Sequence, residues 1–198
     1  MASKPKPSNP TKPPKRDAIL DAMLDIVVER GFHDAPMSLL AQRSGASAGV
    51  IYHYFPSKEA IIHALYERIS ALKRESILAG FSLDQDPRET FILGCLNTYA
   101  FYRKHKREMR FYEQYAHAGF PCGPENASFN APKDDRAKAF AHRFSNHSKG
   151  GVLNEWPQPV LNELTINLVV RLAGLPHKLP EPLLREIAES MWQVVKAK

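Results

Sequence analysis

The chain has 198 residues, of which 43% are hydrophobic, and it carries a formal net charge of +6. This length is enough for one large or two small domains with a sizeable core, so we expect a globular protein. No apolar run approaches the ~20 residues of a membrane helix. The two isolated cysteines, Cys95 and Cys122, fit no metal spacing, and the N-terminus is not typical of a signal peptide. We therefore expect reduced thiols and a cytoplasmic location, with no membrane partner.

The charge is unevenly distributed. Residues 1–16 hold five basic residues and no acid, whereas residues 17–60 hold three basic and six acidic ones. Residues 1–14, which include five prolines, cannot bury enough apolar surface to offset their ordering entropy. We predict a disordered basic arm over 1–14. It either solubilises the chain or contacts phosphates or the minor groove of DNA.

Three short helices are predicted before residue 55. Apolar residues at helical spacing predict the first over 15–30, and Gly31 ends it. The second runs from Pro36 to about Ser44, and the third spans roughly 47–54, with Ser47 as its N-cap. The last two are separated by the tight turn Gly45-Ala46. This arrangement is typical of a helix-turn-helix, whose second helix can enter a DNA major groove.

The rest of the chain also shows only helical periodicity. A long fourth helix begins after Ser57 and reaches about residue 80, and loops are predicted over 82–87 and 119–133. Further helices are expected over 88–105, 107–118, 134–149, 157–173 and 180–197. The predicted fold is all-α with about nine helices. It divides into a DNA-binding domain at 15–60 and a larger helical domain at 61–198.

Aromatic residues are concentrated in the middle of the larger domain. They form either a packed core or a pocket in which tyrosine hydroxyls orient a small molecule. The candidate pocket residues are Phe91, Cys95, Tyr99, Tyr102, Phe111 and Tyr115. No nucleophile motif, paired carboxylates, phosphate loop or metal-ligand spacing is found, so we expect neither an enzyme nor a bound cofactor or metal.

Residues 17–65 resemble the DNA-binding domain of the TetR (tetracycline repressor-like) family. The resemblance rests on Ile19 and Ala22, Gly31-Phe32, Leu40-Ala41, and the run from Gly45 to Glu59 that contains Tyr52, Tyr54, Phe55, Ser57 and Lys58. It implies a C-terminal domain that binds a small ligand and forms a homodimer through its last two helices. The apolar stripes of those helices fit such an interface: Leu161, Leu164, Leu168, Leu172, Leu184, Ile187, Met191 and Val195.

The resemblance also assigns DNA-binding positions. It implies that Ser47, Ala48, Gly49 and Val50 face base edges or phosphates, that Tyr52 and Tyr54 contact phosphate and sugar, and that Lys58 pairs with phosphate. Ser38, in the first turn of the second helix, is expected to hold phosphate through its hydroxyl and nearby N–H groups. His53 either contacts a base or remains a solvated surface residue.

Two positions depart from the family pattern. Val50 stands where threonine is usual, and its branched apolar group suits a thymine methyl. Ala35-Pro36 replaces a threonine before the second helix, which removes a possible phosphate contact. We therefore expect binding to depend strongly on the basic arm and on dimerisation.

The function implied is that of a ligand-responsive transcriptional repressor. It would bind a near-palindromic double-stranded DNA operator and be released by a small-molecule effector. The alternative is a helical small-molecule-binding or structural protein with a non-functional DNA-binding module, because residues 17–60 carry net negative charge.

Overall fold

Helices account for the regular structure of the computed structural model, which describes residues 14–82, 84–118, 135–144 and 151–197. The all-α prediction is confirmed. Within those ranges, the β pairing is limited to an isolated bridge between Leu153 and Lys196. No helix in the described part of the chain is both long and apolar enough to cross a membrane. The predicted arm 1–14 (except Pro14), Cys122 and the predicted loop 119–133 lie outside the described residues.

The contacts group the chain into two compact units, Met1–Tyr66 and Glu67–Lys198, which we call unit 1 and unit 2. Helix α4 belongs to both units, because the division falls within it. Unit 1 contains α1, α2, α3 and the beginning of α4, whose bounds are Lys15–Arg30, Met37–Ser44, Ala48–Tyr54 and Lys58–Ile77.

The core of unit 1 is built on α1. The helix buries seven residues, among them Ile19, Met23, Ile26 and Val27, and it packs against α2 and α3. Gly31 ends the helix at a φ of 81°, which is favourable for glycine, and its N–H donates to the Val27 carbonyl. The predicted start, end and buried face of this helix are confirmed.

Unit 2 contains the end of α4 and five further helices. These are α5 (Pro87–Lys104), α6 (Lys106–His117), α7 (Asp135–Arg143), α8 and α9 (Glu181–Val195). Helix α8 is continuous through three segments, Gln158–Asn162, Glu163–Asn167 and Leu168–Ala173. The described residues thus form the nine predicted helices. Helix α4 ends at Ile77, three residues before the expected end at residue 80.

Helix α5 is central to unit 2, because it packs against both α8 and α9. Two kinds of polar contact fix this packing. The Tyr99 hydroxyl accepts a hydrogen bond of 2.8 Å from the Leu179 N–H. The Arg88 guanidinium of α5 donates to the Glu189 carboxylate of α9, with an Nε–Oε2 distance of 2.9 Å.

The middle segment of α8, Glu163–Asn167, is a π-helical turn. The Thr165 hydroxyl within it donates to the Leu161 carbonyl over 2.6 Å. Side-chain bonds of this kind compete with the backbone ladder, and π turns are frequent at functional sites. This turn lies in the wall of a cavity described below.

The predicted dimer stripes do not form one surface. Leu161, Leu184, Met191 and Val195 are buried in the core of unit 2, so in this structure they are not available to a second chain. Leu172 and Ile187 are half-buried against the same core, while Leu164 and Leu168 are exposed. Helical spacing shows which residues share a stripe, but it does not show which stripe faces the chain's own core. For this reason, four of the eight predicted interface residues are core residues instead.

Candidate nucleic-acid interface and ligand cavity

The turn between α2 and α3 has the geometry that a helix-turn-helix requires. Gly45 adopts a left-handed conformation, with a φ of 63° and a ψ of 23°, which strongly favours glycine. The Ser44 hydroxyl accepts from the Ala46 N–H at 3.3 Å, and the Ser47 hydroxyl accepts from the Val50 N–H at 3.4 Å. The predicted N-cap role of Ser47 is confirmed.

Helix α3 is anchored on one side and exposed on the other. Ile51 is completely buried and Phe55, just after the helix, is 4% exposed. Tyr52 and Tyr54 are 53% and 42% exposed, although large aromatic side chains usually gain free energy from burial. Phe55 is therefore the core aromatic of this segment, and both tyrosines are accessible. His53 is exposed between them, with its ring 5.4 Å from that of Tyr54.

The N-terminal turn of α3 presents little side-chain volume. Ser47, Ala48 and Gly49 are exposed, and Val50 is half-buried. A Cβ atom built on Gly49 would meet no atom within 4 Å. The backbone at Gly49 is therefore not covered by neighbouring side chains.

The cations of residues 36–58 have partners within unit 1. The Arg43 guanidinium pairs with the Glu29 carboxylate of α1 at 2.6 Å. The hydrogen bond from Arg43 is the main reason that the pKa of Glu29 lies below its usual value. The Lys58 ammonium donates to the Phe32 carbonyl at 2.7 Å. Since an ammonium has three protons, Lys58 keeps the capacity to contact phosphate.

The N-terminal turns of two other helices contribute to the same unit. Ser38 is exposed in the first turn of α2, as its predicted role requires. At the start of α4, the Ser57 hydroxyl accepts from the Ala60 N–H at 3.2 Å. The pKa of Glu59 is lowered by hydrogen bonds from its own N–H and from Ser57, which keeps a carboxylate in that turn.

Arg16 is a candidate that the sequence reasoning did not select. Its guanidinium lies over the Phe55 ring, 5.4 Å from the ring centroid. This contact places an exposed cation at the C-terminal end of α3, within the same unit as the exposed tyrosines. The sequence could have indicated Arg16 only through its place in the basic segment 1–16. Its contact with Phe55 joins residues almost forty positions apart, so no local pattern predicts it.

Unit 2 contains a cavity of about 180 Å³. It lies between α5, α7 and α8, and Ile77 at the end of α4 also contributes to it. Its described lining residues are Ile77, Phe91, Gly94, Cys95, Thr98, Phe140, Phe144, Leu153, Gln158, Leu161, Asn162, Thr165, Ile166 and Val169.

Two of the six predicted pocket residues, Phe91 and Cys95, line this cavity. The other four do not. Tyr99 is 3% exposed and bonded to Leu179, and Phe111 is stacked on Tyr115. Tyr102 lies beside Lys73, whose ammonium is 5.7 Å from its ring centroid, and burial raises the pKa of the Tyr102 hydroxyl.

The cavity follows one face of α5. This explains why Phe91 and Cys95 line it and the four other predicted residues do not. Phe91, Gly94, Cys95 and Thr98 recur at the spacing of a single helical face, and the small residues leave space beside the phenylalanine. That pattern was readable in the sequence. The facing walls, from α7 and α8, depend on tertiary packing.

Cys95 is a neutral part of the cavity wall. Burial raises the pKa of its thiol to about 12, so the thiolate is scarce at neutral pH. The thiol behaves as a small apolar group and not as a nucleophile.

A model of bacterial regulatory proteins of the tetR family matches residues 19–65. The HTH-type transcriptional regulator BetI of Klebsiella pneumoniae (strain 342) is 37% identical over 67 residues, which make up 34% of this chain and 34% of that protein. BetI of Escherichia coli (strain SE11) is 36% identical over 64 residues, or 32% and 33% of the two chains. The chain thus matches about a third of the length of these curated relatives.

Solved structures extend the likeness to the fold of nearly the whole chain. A TetR family transcription regulator from Marinobacter aquaeolei VT8 has a TM-score of 0.79 at 21% identity, covering 93% of this chain and 96% of that chain. One from Haemophilus influenzae RD has a TM-score of 0.74 at 20% identity, with coverage of 92% and 97%. Residues 19–65 therefore match the tetR family of bacterial regulatory proteins, and nearly the whole chain shares its fold with solved TetR family regulators.

Proposed function

We propose that the protein is a homodimeric, ligand-responsive transcriptional repressor of the cytoplasm, which binds double-stranded DNA and is released by a small molecule. The observation that carries this proposal is the exposed side of α3. Two tyrosines are open to solvent there, next to a turn of small residues, while Ile51 and Phe55 hold the helix in the core. A helix so presented suits insertion into a major groove.

The proposed DNA contacts divide into two kinds. Gly49 and Val50 approach the base edges, where the Val50 methyl groups suit a thymine methyl. Tyr52, Tyr54 and Lys58 contact the sugar-phosphate backbone and set the register of the helix. Arg16 adds a cation beside α3, which partly compensates for the pairing of Arg43 with Glu29.

Apolar residues exposed on α8 and α9 support pairing with a second copy of the chain. Leu164 and Leu168 belong to the predicted stripes, and Val160, Leu183 and Val194 lie outside them. Each of these side chains is at least 36% exposed. The exposure of so many large aliphatic groups on two consecutive helices is unfavourable in free energy unless another surface covers them. A dimer would bring two α3 helices to successive major grooves of a near-palindromic operator.

The cavity in unit 2 is the proposed effector site. Helix α4 begins in unit 1 at Lys58 and ends at Ile77, whose side chain lines the cavity. A molecule in the cavity can thus act on the helix whose first turn carries a DNA-contacting lysine. It must bind the two conformers of the dimer with different affinity, because equal affinity shifts no equilibrium.

Fluorescence anisotropy with DNA from upstream of the protein's own gene tests the DNA-binding function. We expect tight binding at low salt, with an affinity that falls steeply as salt increases. Tyr52→Ala and Tyr54→Ala should each weaken binding about tenfold, which corresponds to about 1.4 kcal/mol, without lowering thermal stability. Lys104→Ala, which removes an exposed cation of unit 2, is the matched control and should bind as the wild type does.

The alternative of a non-functional DNA-binding module makes a different prediction. In that case the wild type and both tyrosine variants would show the same weak, sequence-independent binding. That result would reject the regulator function while leaving the cavity as a small-molecule site. Light scattering tests the dimer separately, and a monomer at micromolar concentration would reject the proposed pairing.

A further inference from the structure

We propose that the molecule bound by the cavity of unit 2 is uncharged and mostly apolar, with a hydroxyl or amide group that faces α8. The inference rests on the proposed function, since it names the class of effector for the same site. It is carried by the distribution of apolar, polar and charged groups around the cavity.

Apart from Thr98, the walls from α5 and α7 are apolar and aromatic. Phe91 of α5 and Phe140 of α7 each contact Phe144, with ring centroids 6.2 Å and 4.8 Å apart. Gly94 lies opposite Phe140 and leaves the space that a side chain would otherwise fill. The cavity, at about 180 Å³, is of the same order as the ~150 Å³ apolar cavities that bind benzene. A compact hydrocarbon or aromatic body fits these walls.

The wall from α8 is polar but neutral. Gln158, Asn162 and Thr165 follow one another along one face of the helix, and all three line the cavity. The Gln158 amide donates a hydrogen bond of 3.0 Å to Asn162 Oδ1. The Thr165 hydroxyl donates a hydrogen bond to the Leu161 carbonyl oxygen. The groups that remain include amide N–H donors as well as amide and hydroxyl acceptors. A ligand hydroxyl or amide, which both donates and accepts, is complementary to this wall.

No described residue that lines the cavity is acidic, basic or histidine. Among the described lining residues, the one ionisable group is the Cys95 thiol, which stays protonated because partial burial disfavours the thiolate. A carboxylate or an ammonium group in the cavity would therefore lose hydration and find no partner of opposite charge among the described lining residues. That desolvation penalty selects against charged ligands.

Three probes with the same aromatic body separate charge from shape: phenethyl alcohol, phenylacetate and phenethylammonium. Isothermal titration calorimetry on the full chain near neutral pH should show binding of phenethyl alcohol in the millimolar range or tighter. We expect each charged probe to bind at least about tenfold more weakly. Equal or tighter binding of a charged probe, or no binding of phenethyl alcohol, would overturn the proposal.

Two variants and a control locate the site. Gly94→Leu should fill the cavity and weaken phenethyl alcohol binding by about tenfold or more, whereas Ala100→Leu adds its bulk at an exposed position of α5 and should not. Asn162→Asp places a negative charge on the polar wall, with little change in shape. It should shift the preference towards phenethylammonium.

Unchanged phenethyl alcohol binding in Gly94→Leu would place the probe elsewhere and overturn the assignment. Operator binding by the same Gly94→Leu protein is measured without any probe. If that binding matches the wild type, failure of the ligand assignment leaves the DNA-binding function intact. Loss of DNA binding in the wild type itself would instead reject the proposed function.

Discussion

Replacing Gly49 by alanine should raise the stability of the protein and lower its affinity for DNA. In the free protein a Cβ at this position meets no atom within 4 Å, and the backbone is helical. The added methyl group is therefore tolerated, and the gain in helix propensity near the start of α3 should stabilise the protein by about 0.5 kcal/mol. In the complex, the same methyl group would stand between the helix backbone and the base edges.

The expected loss of affinity is the sum of the losses at the two half-sites of the operator. If the methyl group costs about 1.4 kcal/mol at each half-site, a dimer on two half-sites should lose about a hundredfold in affinity. Thermal unfolding and fluorescence anisotropy on the operator fragment measure the two effects independently. Only a close contact between Gly49 and DNA predicts a rise in stability together with a fall in affinity. A protein that is merely destabilised would lose both stability and affinity.

Two further glycine variants serve as controls. Gly94→Ala makes the same chemical change in α5, where the Cβ would lie at an ordinary 3.6 Å from Phe140, so stability should rise without a change in DNA affinity. Gly45→Ala forces alanine to a φ of 63° and should destabilise unit 1 by about 1 kcal/mol. The reasoning would be refuted if Gly49→Ala bound the operator within twofold of the wild type.

Three other substitutions test individual contacts. Lys58→Met removes the bond to Phe32, so it should destabilise the protein by about 1 kcal/mol in chemical denaturation and reduce the salt dependence of DNA binding. In a Cys122→Ser background, Cys95 should not react with a thiol reagent near pH 8 until the protein unfolds, because a pKa of about 12 leaves less than about one thiol in a thousand ionised. Rapid labelling of the folded protein would contradict the desolvation of this half-buried thiol. Glu29→Gln should be less stable than the wild type near neutral pH, because the pKa of the paired Glu29 carboxylate lies below the ordinary glutamate value of 4.5. The difference in stability should shrink as the pH falls below 4.5 and disappear once the pH is below the lowered pKa of Glu29. A pH-independent difference in urea midpoints would show that the Arg43 pair is not the cause.

The sequence by itself determined the local structure of unit 1 and the face of α3. Helix starts and ends follow from short-range signals, such as the Ser47 cap and the Gly31 stop, which act over a few residues. Tyr52 and Tyr54 are two positions apart on a helix and point in different directions, and the structure leaves both exposed. These features need no knowledge of distant partners.

Only the tertiary structure decided how the charges pair and where the cavity lies. Arg43 binds Glu29 and Lys58 binds Phe32 across 14 and 26 residues of sequence, which no local pattern encodes. An apolar stripe indicates burial without naming the surface that buries it. For that reason Leu161 and Val195 belong to the core of unit 2, while Leu164 on the same helix as Leu161 is exposed. The cavity likewise depends on residues of α5, α7 and α8 that lie far apart in the sequence. Gly94 of α5 leaves space beside Phe140 of α7, and residues of α8 complete the lining.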